Sequence, residues 1–143
     1  MISERMQFAQ IRDRVEIDPQ GPRTIDTSEL IGTWINSNPH TNGIARMEMS
    51  RSNEVLSLRV YAVGPGGLID WGTTDVSVFA ATPASKAGAG FACLYDFGFA
   101  EVRLQGMIMK GLLVLAQMQR FKDQSERVDY FVREYFALVH EPA

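Results

Sequence analysis

The sequence predicts an all-β protein: an antiparallel up-and-down barrel of about eight strands with a short N-terminal helical extension. Three observations support this fold class. After residue 31, apolar side chains recur with a period of two, which is typical of strands with one buried face. Glycine, proline and asparagine divide that region into short segments. No long helical pattern lies between the segments, which disfavours parallel βαβ topology.

The bulk composition fits one globular domain, since 143 residues suffice for a core. The net charge of −3 and the scattered basic residues give no electrostatic reason to expect nucleic acid or a membrane as partner. The single cysteine, Cys93, excludes an intrachain disulfide and a clustered-cysteine zinc site. No segment resembles a secretory signal or a membrane span, so we expect a cytoplasmic protein. We also expect no metal and no cofactor.

The first 25 residues are predicted to form an extension of the domain at 26–143. Apolar residues in 2–16 lie along one stripe, as in a short amphipathic helix. The prolines and glycine of 18–22 end that helix. The segment Asp26-Thr27-Ser28-Glu29 then resembles one helical turn that is capped by a side-chain oxygen.

A β-meander is predicted after the capped turn. We expect its strands near residues 32–37, 43–51, 54–63, 68–80, 89–97, 99–109, 112–122 and 127–139. Ser52-Asn53 and Lys110-Gly111 are candidate two-residue turns. The first would place Met49 opposite Leu56, and the second would pair Leu104 with Gln117. Closing the meander into a barrel removes its unpaired edges.

The last predicted hairpin brings polar side chains to the inner face. A pairing of Phe121 with Val128 sets its register. The polar side chains that then face inward are Gln117, Gln119, Tyr130 and Glu134. Desolvation disfavours an ionised carboxylate among apolar side chains, so Glu134 is a candidate acid or base and Tyr130 a second candidate catalytic residue.

A second register of this hairpin differs by one residue in the loop 122–127. It turns Arg133 and Tyr135 inward, where they would hold a carboxylate. The residue pattern leaves both registers open.

The other candidate ligand-binding side chains are large and mostly apolar. They are Met47, Leu58, Trp71, Tyr95 and Leu115. A tryptophan offers a flat surface for an aromatic or polyene ligand, and methionine adapts to irregular shapes. His40 and His140 have no partner at metal-ligand spacing, so they are interpreted as loop residues.

Gly32-Thr33-Trp34 on the first strand, after a capped turn and before a meander, resembles the calycin superfamily of lipocalins, fatty-acid-binding proteins and avidins. The resemblance implies a barrel whose tryptophan closes one end, with a basic residue, here Arg133, packed across it. Arg133-Glu134-Tyr135 is similar to the Arg-x-Tyr pair that holds a carboxylate in fatty-acid-binding proteins. Some small calycin-like barrels are cyclases and isomerases of specialised metabolism.

Three functional hypotheses result. The first is binding of a small, mostly apolar organic molecule in the barrel cavity. The second is an enzyme of cyclase or isomerase type that acts on such a molecule by positioning and acid/base catalysis. The third is a filled barrel whose helix at 2–16 mediates homodimerisation or binds a partner. If Trp34 closes one end, the chemistry is expected at the opposite rim.

Overall fold

The computed structural model describes residues 9–14 and 24–140. Within these ranges the chain forms nine strands and one 3-10 turn, Ile11–Asp13. The strands are β1 (Gly32–Asn36), β2 (Ile44–Ser52), β3 (Val55–Gly64), β4 (Gly67–Asp75), β5 (Ser77–Ala80), β6 (Gly88–Asp96), β7 (Ala100–Met109), β8 (Leu112–Phe121) and β9 (Tyr130–Leu138). All pair antiparallel in one sheet of order β4-β3-β2-β1-β9-β8-β7-β6-β5, which is curled into a half-barrel. The predicted all-β class is confirmed.

The two edge strands, β4 and β5, are consecutive in the chain, and only Val76 separates them. They correspond to the single strand predicted over 68–80. The first half of this segment pairs with β3 and the second half with β6. Trp71 on β4 also contacts Tyr95 on β6, with ring centroids 5.4 Å apart. The change of partner therefore draws the two edges of the curled sheet towards each other.

The predicted N-terminal helix is not supported in the part of it that the structure describes. Residues 9–14 form only the 3-10 turn, and Ile11 is 90% exposed. Gln10 N donates to Asp13 Oδ2 at 3.0 Å, which closes this turn locally. A short helix is marginal in water unless tertiary packing buries its apolar face, and no residue of this turn is buried. The other residues of the predicted helix lie outside the described ranges.

The turn before β1 is capped as the sequence predicts. Leu30 N donates to Thr27 O at 3.0 Å, and Ser28 N donates to Asp26 Oδ1 at 3.0 Å. The hydrogen bond from the Ser28 backbone lowers the pKa of Asp26 below its ordinary value. The turn also places Leu30, which is fully buried, beside Trp34. The indole N–H of Trp34 donates a hydrogen bond to Leu30 O at 2.9 Å.

Strand direction alternates, so the loops gather at two ends of the half-barrel. We call the end that holds Leu30 and Trp34 the closed end. The opposite end, with the loops 37–43, 97–99 and 122–129, is called the polar end. The core lies on the inner face between them, and its side chains are supplied by every strand except β4 and β5, which contribute partly buried residues.

Two hairpin registers agree with the sequence prediction. Lys110-Gly111 forms the β7–β8 turn, and Leu104 pairs with Gln117. In the β8–β9 hairpin, Gln119 pairs with Tyr130. The polar set of the last hairpin therefore faces inward.

The β2–β3 hairpin differs from its predicted register. Asn53-Glu54 forms the turn instead of Ser52-Asn53. Both turn residues have positive φ, 55° and 58°, as a type I′ turn requires. Asparagine adopts a positive φ more readily than serine, so the turn begins at Asn53, one position later than predicted. Because the resulting change of register is even, Met49 stays on the inner face but pairs with Leu58 rather than Leu56.

Replacing Glu54 by glycine is expected to raise the free energy of unfolding by about 0.5–1 kcal/mol, because glycine has no steric penalty at positive φ. Urea unfolding measures this change. Glu54→Ala is the matched control, since it removes the same carboxylate but keeps a Cβ at positive φ. If alanine stabilises the protein as much as glycine, the effect comes from the charge and not from the backbone.

Candidate functional site

An aromatic row runs around the polar end from β4 to β9. Trp71 contacts Tyr95 and Phe97 edge to face, with ring centroids 5.4 and 5.2 Å apart. Phe97 stacks on Phe99 at 6.3 Å, and Phe121 lies 6.2 Å from Tyr130. We use "aromatic row" for the six residues Trp71, Tyr95, Phe97, Phe99, Phe121 and Tyr130.

One cation joins the two halves of the aromatic row. The guanidinium of Arg127 lies 5.2 Å from the Phe99 ring centroid and 4.5 Å from that of Phe121. Asp123 and Ser125 accept hydrogen bonds from the same side chain at 2.6 and 3.0 Å. The loop 122–129 is thereby held against the row by cation–π contacts.

A backbone irregularity turns Trp71 towards the interior. The β3–β4 register shifts between Arg59 and Tyr61, and Gly72 on the opposite strand has φ of +83°. Glycine adopts this conformation without steric cost. The Tyr95 hydroxyl lies 2.8 Å from Gly72 O and 3.0 Å from Leu58 O, so it donates across from β6 to the β3–β4 pair. Desolvation raises the pKa of Tyr95, which therefore remains a donor.

A hydrogen-bonded amide network lies beside the row on β8 and β9. Gln117 is 5% exposed, and its Nε2 donates to Gln119 Oε1 at 3.1 Å. The Tyr130 hydroxyl donates to the same oxygen at 2.8 Å. Desolvation raises the pKa of Tyr130, which keeps the phenol protonated as a donor. No group in residues 9–14 or 24–140 donates to Gln117 Oε1, so an acceptor on a nearly buried side chain is left uncommitted.

Glu134 lies at the same end, opposite Leu115 as the predicted register requires. Its Oε2 accepts hydrogen bonds from Asn36 Nδ2 at 2.6 Å and from Thr41 Oγ1 at 2.9 Å. Asn36 also donates to Ile44 O at 2.9 Å. The carboxylate thus fastens the β1–β2 loop to β9, and its role as a catalytic acid or base stays a prediction.

Arg133 and Tyr135 lie on the outer face, where they pair with Ala116 and Val114. The alternative register that would turn them inward is therefore wrong. Both side chains are exposed, and Arg133 does not pack across Trp34, which is buried on the inner face. The register is set at the loop, where Phe121 N donates to Asp129 Oδ1 at 2.8 Å.

The predicted cavity wall is packed at its centre. Met47 and Leu58 have no exposed surface, and Leu115 is 2% exposed. A side chain that lines a water-sized cavity keeps accessible area, so these three residues form core in this structure. Of the predicted ligand-binding and catalytic residues on the inner face, Trp71, Gln119 and Tyr130 remain accessible, and they lie at the polar end.

Asn36, Thr41, Phe121 and Arg127 belong to this end of the molecule but were not among the predicted site residues. A local signal existed for Asn36, since it follows Trp34 by two positions and must share its face. No such signal existed for Thr41 or Arg127, because their partners are distant in the sequence.

Cys93 is buried on β6, and desolvation raises the pKa of its thiol to about 12. The thiolate is the reactive species, so we predict that the native protein does not react with dithiobis-nitrobenzoate at about pH 8. After unfolding in urea, the thiol should react fully. Rapid labelling of the native thiol would contradict this assignment.

The raised pKa of Cys93 also predicts a pH dependence of stability. The folded state favours the neutral thiol, so the contribution to stability is fully present below the unfolded pKa of about 8.5. It is lost as the pH rises through that value towards the folded pKa of about 12. Urea unfolding at about pH 7 and at about pH 10 should give a lower free energy of unfolding at the higher pH. Cys93→Ala should reduce this difference between the two pH values.

In the described part of the chain, no helix is long and apolar enough to cross a membrane. Within the same residues, no three His, Cys, Asp or Glu side chains lie close enough together to hold a metal. Comparisons with models of known protein families, with curated proteins and with solved structures find no match. The curled antiparallel sheet is compatible with a calycin-like barrel.

Proposed function

We propose that this protein binds a small, mostly apolar organic molecule at the polar end of a calycin-like barrel. One observation carries the proposal. Gln117 is nearly buried on the inner face and has an uncommitted carbonyl oxygen beside a row of aromatic rings. This oxygen is not among the buried unpaired atoms of the described residues, so water reaches it, and a ligand donor placed there would replace that water.

The neighbouring side chains define the chemistry of the ligand. Trp71 and Phe97 are partly exposed and offer ring faces and edges to a planar apolar body. Gln119 Oε1 already accepts two hydrogen bonds, so the Gln119 amide group is left to donate. A planar molecule with one donor and one acceptor at its edge satisfies both amides.

Calycin-like architecture supports the location of this site. Trp34 and Leu30 bury the closed end, and the packed core occupies the middle of the half-barrel. Half-exposed inner-face residues occur on β9 at the polar end, where Tyr130 is 44% exposed and Val132 is 36% exposed. A ligand would therefore enter from this end and rest on the core instead of displacing it.

Fluorescence titration with N-phenyl-1-naphthylamine tests the proposal, because this neutral planar probe carries one N–H donor. We expect saturable binding by the full chain. Gln117→Leu should weaken binding about three- to tenfold by loss of one hydrogen bond, and Trp71→Ala about tenfold or more by loss of ring contact.

Phe131→Ala is the matched control, since Phe131 is an exposed aromatic residue on the outer face of β9. It should bind the probe as the wild type does. Absence of saturable binding, or equal losses in all three variants, would refute the proposal. Native mass spectrometry of protein purified from its own host would then identify a ligand that co-purifies.

A further inference from the structure

Two adjacent rows of apolar side chains cross the outer face of the sheet without a charged residue. The first row spans five strands, and its members are Phe79, Gly90, Met107, Val114 and Tyr135. The second row spans four strands one step nearer the β7–β8 turn, and its members are Met109, Leu112, Ala137 and Ile35. We call these nine residues the apolar rows. They lie on the opposite face from Gln117, because side chains alternate between the two faces along each strand.

The apolar rows expose a large part of their surface. Six of their side chains are between 38% and 56% exposed: Phe79, Met107, Tyr135, Met109, Leu112 and Ile35. A large aromatic side chain covers roughly 150–250 Å² when it is fully buried, so six half-exposed side chains present on the order of 500 Å². Together with the neighbouring residues, this surface approaches the area of about 800 Å² that each partner contributes to a stable protein–protein interface. Exposed apolar surface of this extent usually marks such a contact.

The two rows next to the apolar rows carry arginines and groups that attract a guanidinium. One row places Gln105 on β7 and Arg133 on β9, on either side of β8. The row beyond it places Arg103 on β7 and Phe131 on β9. Within residues 9–14 and 24–140, neither arginine forms an ion pair, and no hydrogen bond or cation–π contact joins either of these pairs. Each row thus has an arginine on one side of β8 and an amide oxygen or an aromatic ring on the other.

We propose that the outer face binds a second copy of this chain, in a homodimer whose two-fold axis runs parallel to β8. Such an axis keeps every row at its own level and places β7 of one chain opposite β9 of the other. Val114 on β8 then meets its own equivalent, and Met107 meets the partner's Tyr135. The apolar rows of the two chains thereby cover each other.

The flanking rows favour a second copy over an unrelated protein. The same symmetry brings Arg133 to the partner's Gln105 and Arg103 to the partner's Phe131. An unrelated protein would have to supply a separate acceptor for each guanidinium, whereas this chain carries both acceptors at the matching positions across β8. Because the contact is isologous, each pair occurs twice.

Sedimentation equilibrium of the full chain at about 1–100 μM tests the proposal, since interfaces of standard area dissociate at micromolar or lower concentrations. We expect the wild type to have twice the mass of one chain. Val114→Glu places two carboxylates beside each other on the axis, so the dissociation constant should rise at least tenfold. Leu68→Glu is the matched control, since Leu68 is an exposed apolar residue of β4 outside the apolar rows, and this variant should stay dimeric. Circular dichroism verifies that each variant is folded.

A charge exchange tests the direction of the axis. Met107→Lys alone and Tyr135→Glu alone should each weaken the dimer, because each introduces two charges without partners. The double variant should associate at least tenfold more tightly than either single variant, because the new cation of one chain faces the new carboxylate of the other. A wild type that is monomeric at about 100 μM would overturn the proposal. A dimer that survives Val114→Glu, or a double variant as weak as the single ones, would overturn it as well.

Discussion

Replacing Trp34 by alanine is expected to lower the free energy of unfolding by about 3–5 kcal/mol. The indole is 2% exposed and packs in the core, and its N–H donates to Leu30 O at 2.9 Å. Alanine would leave a cavity at the closed end and a buried carbonyl without its donor. The capped turn would lose the contact that holds it against β1.

Urea unfolding of the full chain measures this loss. Trp34→Phe keeps most of the apolar volume but not the N–H donor, so it should cost distinctly less than alanine. Trp71→Ala is the second control, because Trp71 is only partly buried and its removal opens no closed cavity. A cost below about 1 kcal/mol for Trp34→Ala would contradict the assignment of Trp34 to a packed closed end.

Removal of the Glu134 carboxylate is the second large effect, and Glu134→Ala should cost about 2–3 kcal/mol. The same oxygen accepts from Asn36 and from Thr41 at 2.6 and 2.9 Å. Asn36 is 6% exposed, so its amide would lose a charge-assisted partner in a place that water barely reaches. The β1–β2 loop would lose its fastening to β9.

A double-mutant cycle distinguishes this anchor from general packing. Thr41→Val removes one donor, and its coupling with Glu134→Ala should be about 0.5–3 kcal/mol. Additive costs would show that the two side chains do not stabilise the protein through each other. Glu134→Gln keeps the shape and one acceptor, so it should cost less than alanine. The same variant tests the enzyme hypothesis. If Glu134 is the catalytic acid or base, Glu134→Gln abolishes turnover although the loop stays in place.

The polar end of the half-barrel combines two properties. Its aromatic row covers the core from solvent, and the adjacent amide network keeps hydrogen-bonding capacity on the inner face. The aromatic row stabilises the fold by apolar burial. In the amide network, no described residue donates a hydrogen bond to Gln117 Oε1, so this acceptor is available to a ligand. This difference is why the proposed ligand contacts Gln117 and not the fully buried Leu58.

Short-range patterns in the chain determined most of the sheet. Alternation of apolar side chains decided which face of each strand is buried, and Lys110-Gly111 placed the β7–β8 register. Because the register of β8 was set in this way, the inward direction of Gln117 followed from the sequence. These features depend on residues within about ten positions of one another, over which turn geometry and strand periodicity act directly.

The tertiary structure alone decided which side chains meet at the polar end. Residues from β4, β6, β8 and β9 meet in the aromatic row only because the sheet curls, and curvature is a property of all strands together. Glu134 accepts hydrogen bonds from Asn36 on β1 and from Thr41 in the β1–β2 loop, which are 98 and 93 positions away in the sequence. The direction of Arg133 was likewise decided by how the loop 122–129 closes. Local sequence thus determined the strands and their faces, whereas the long-range closure of the sheet determined which side chains meet.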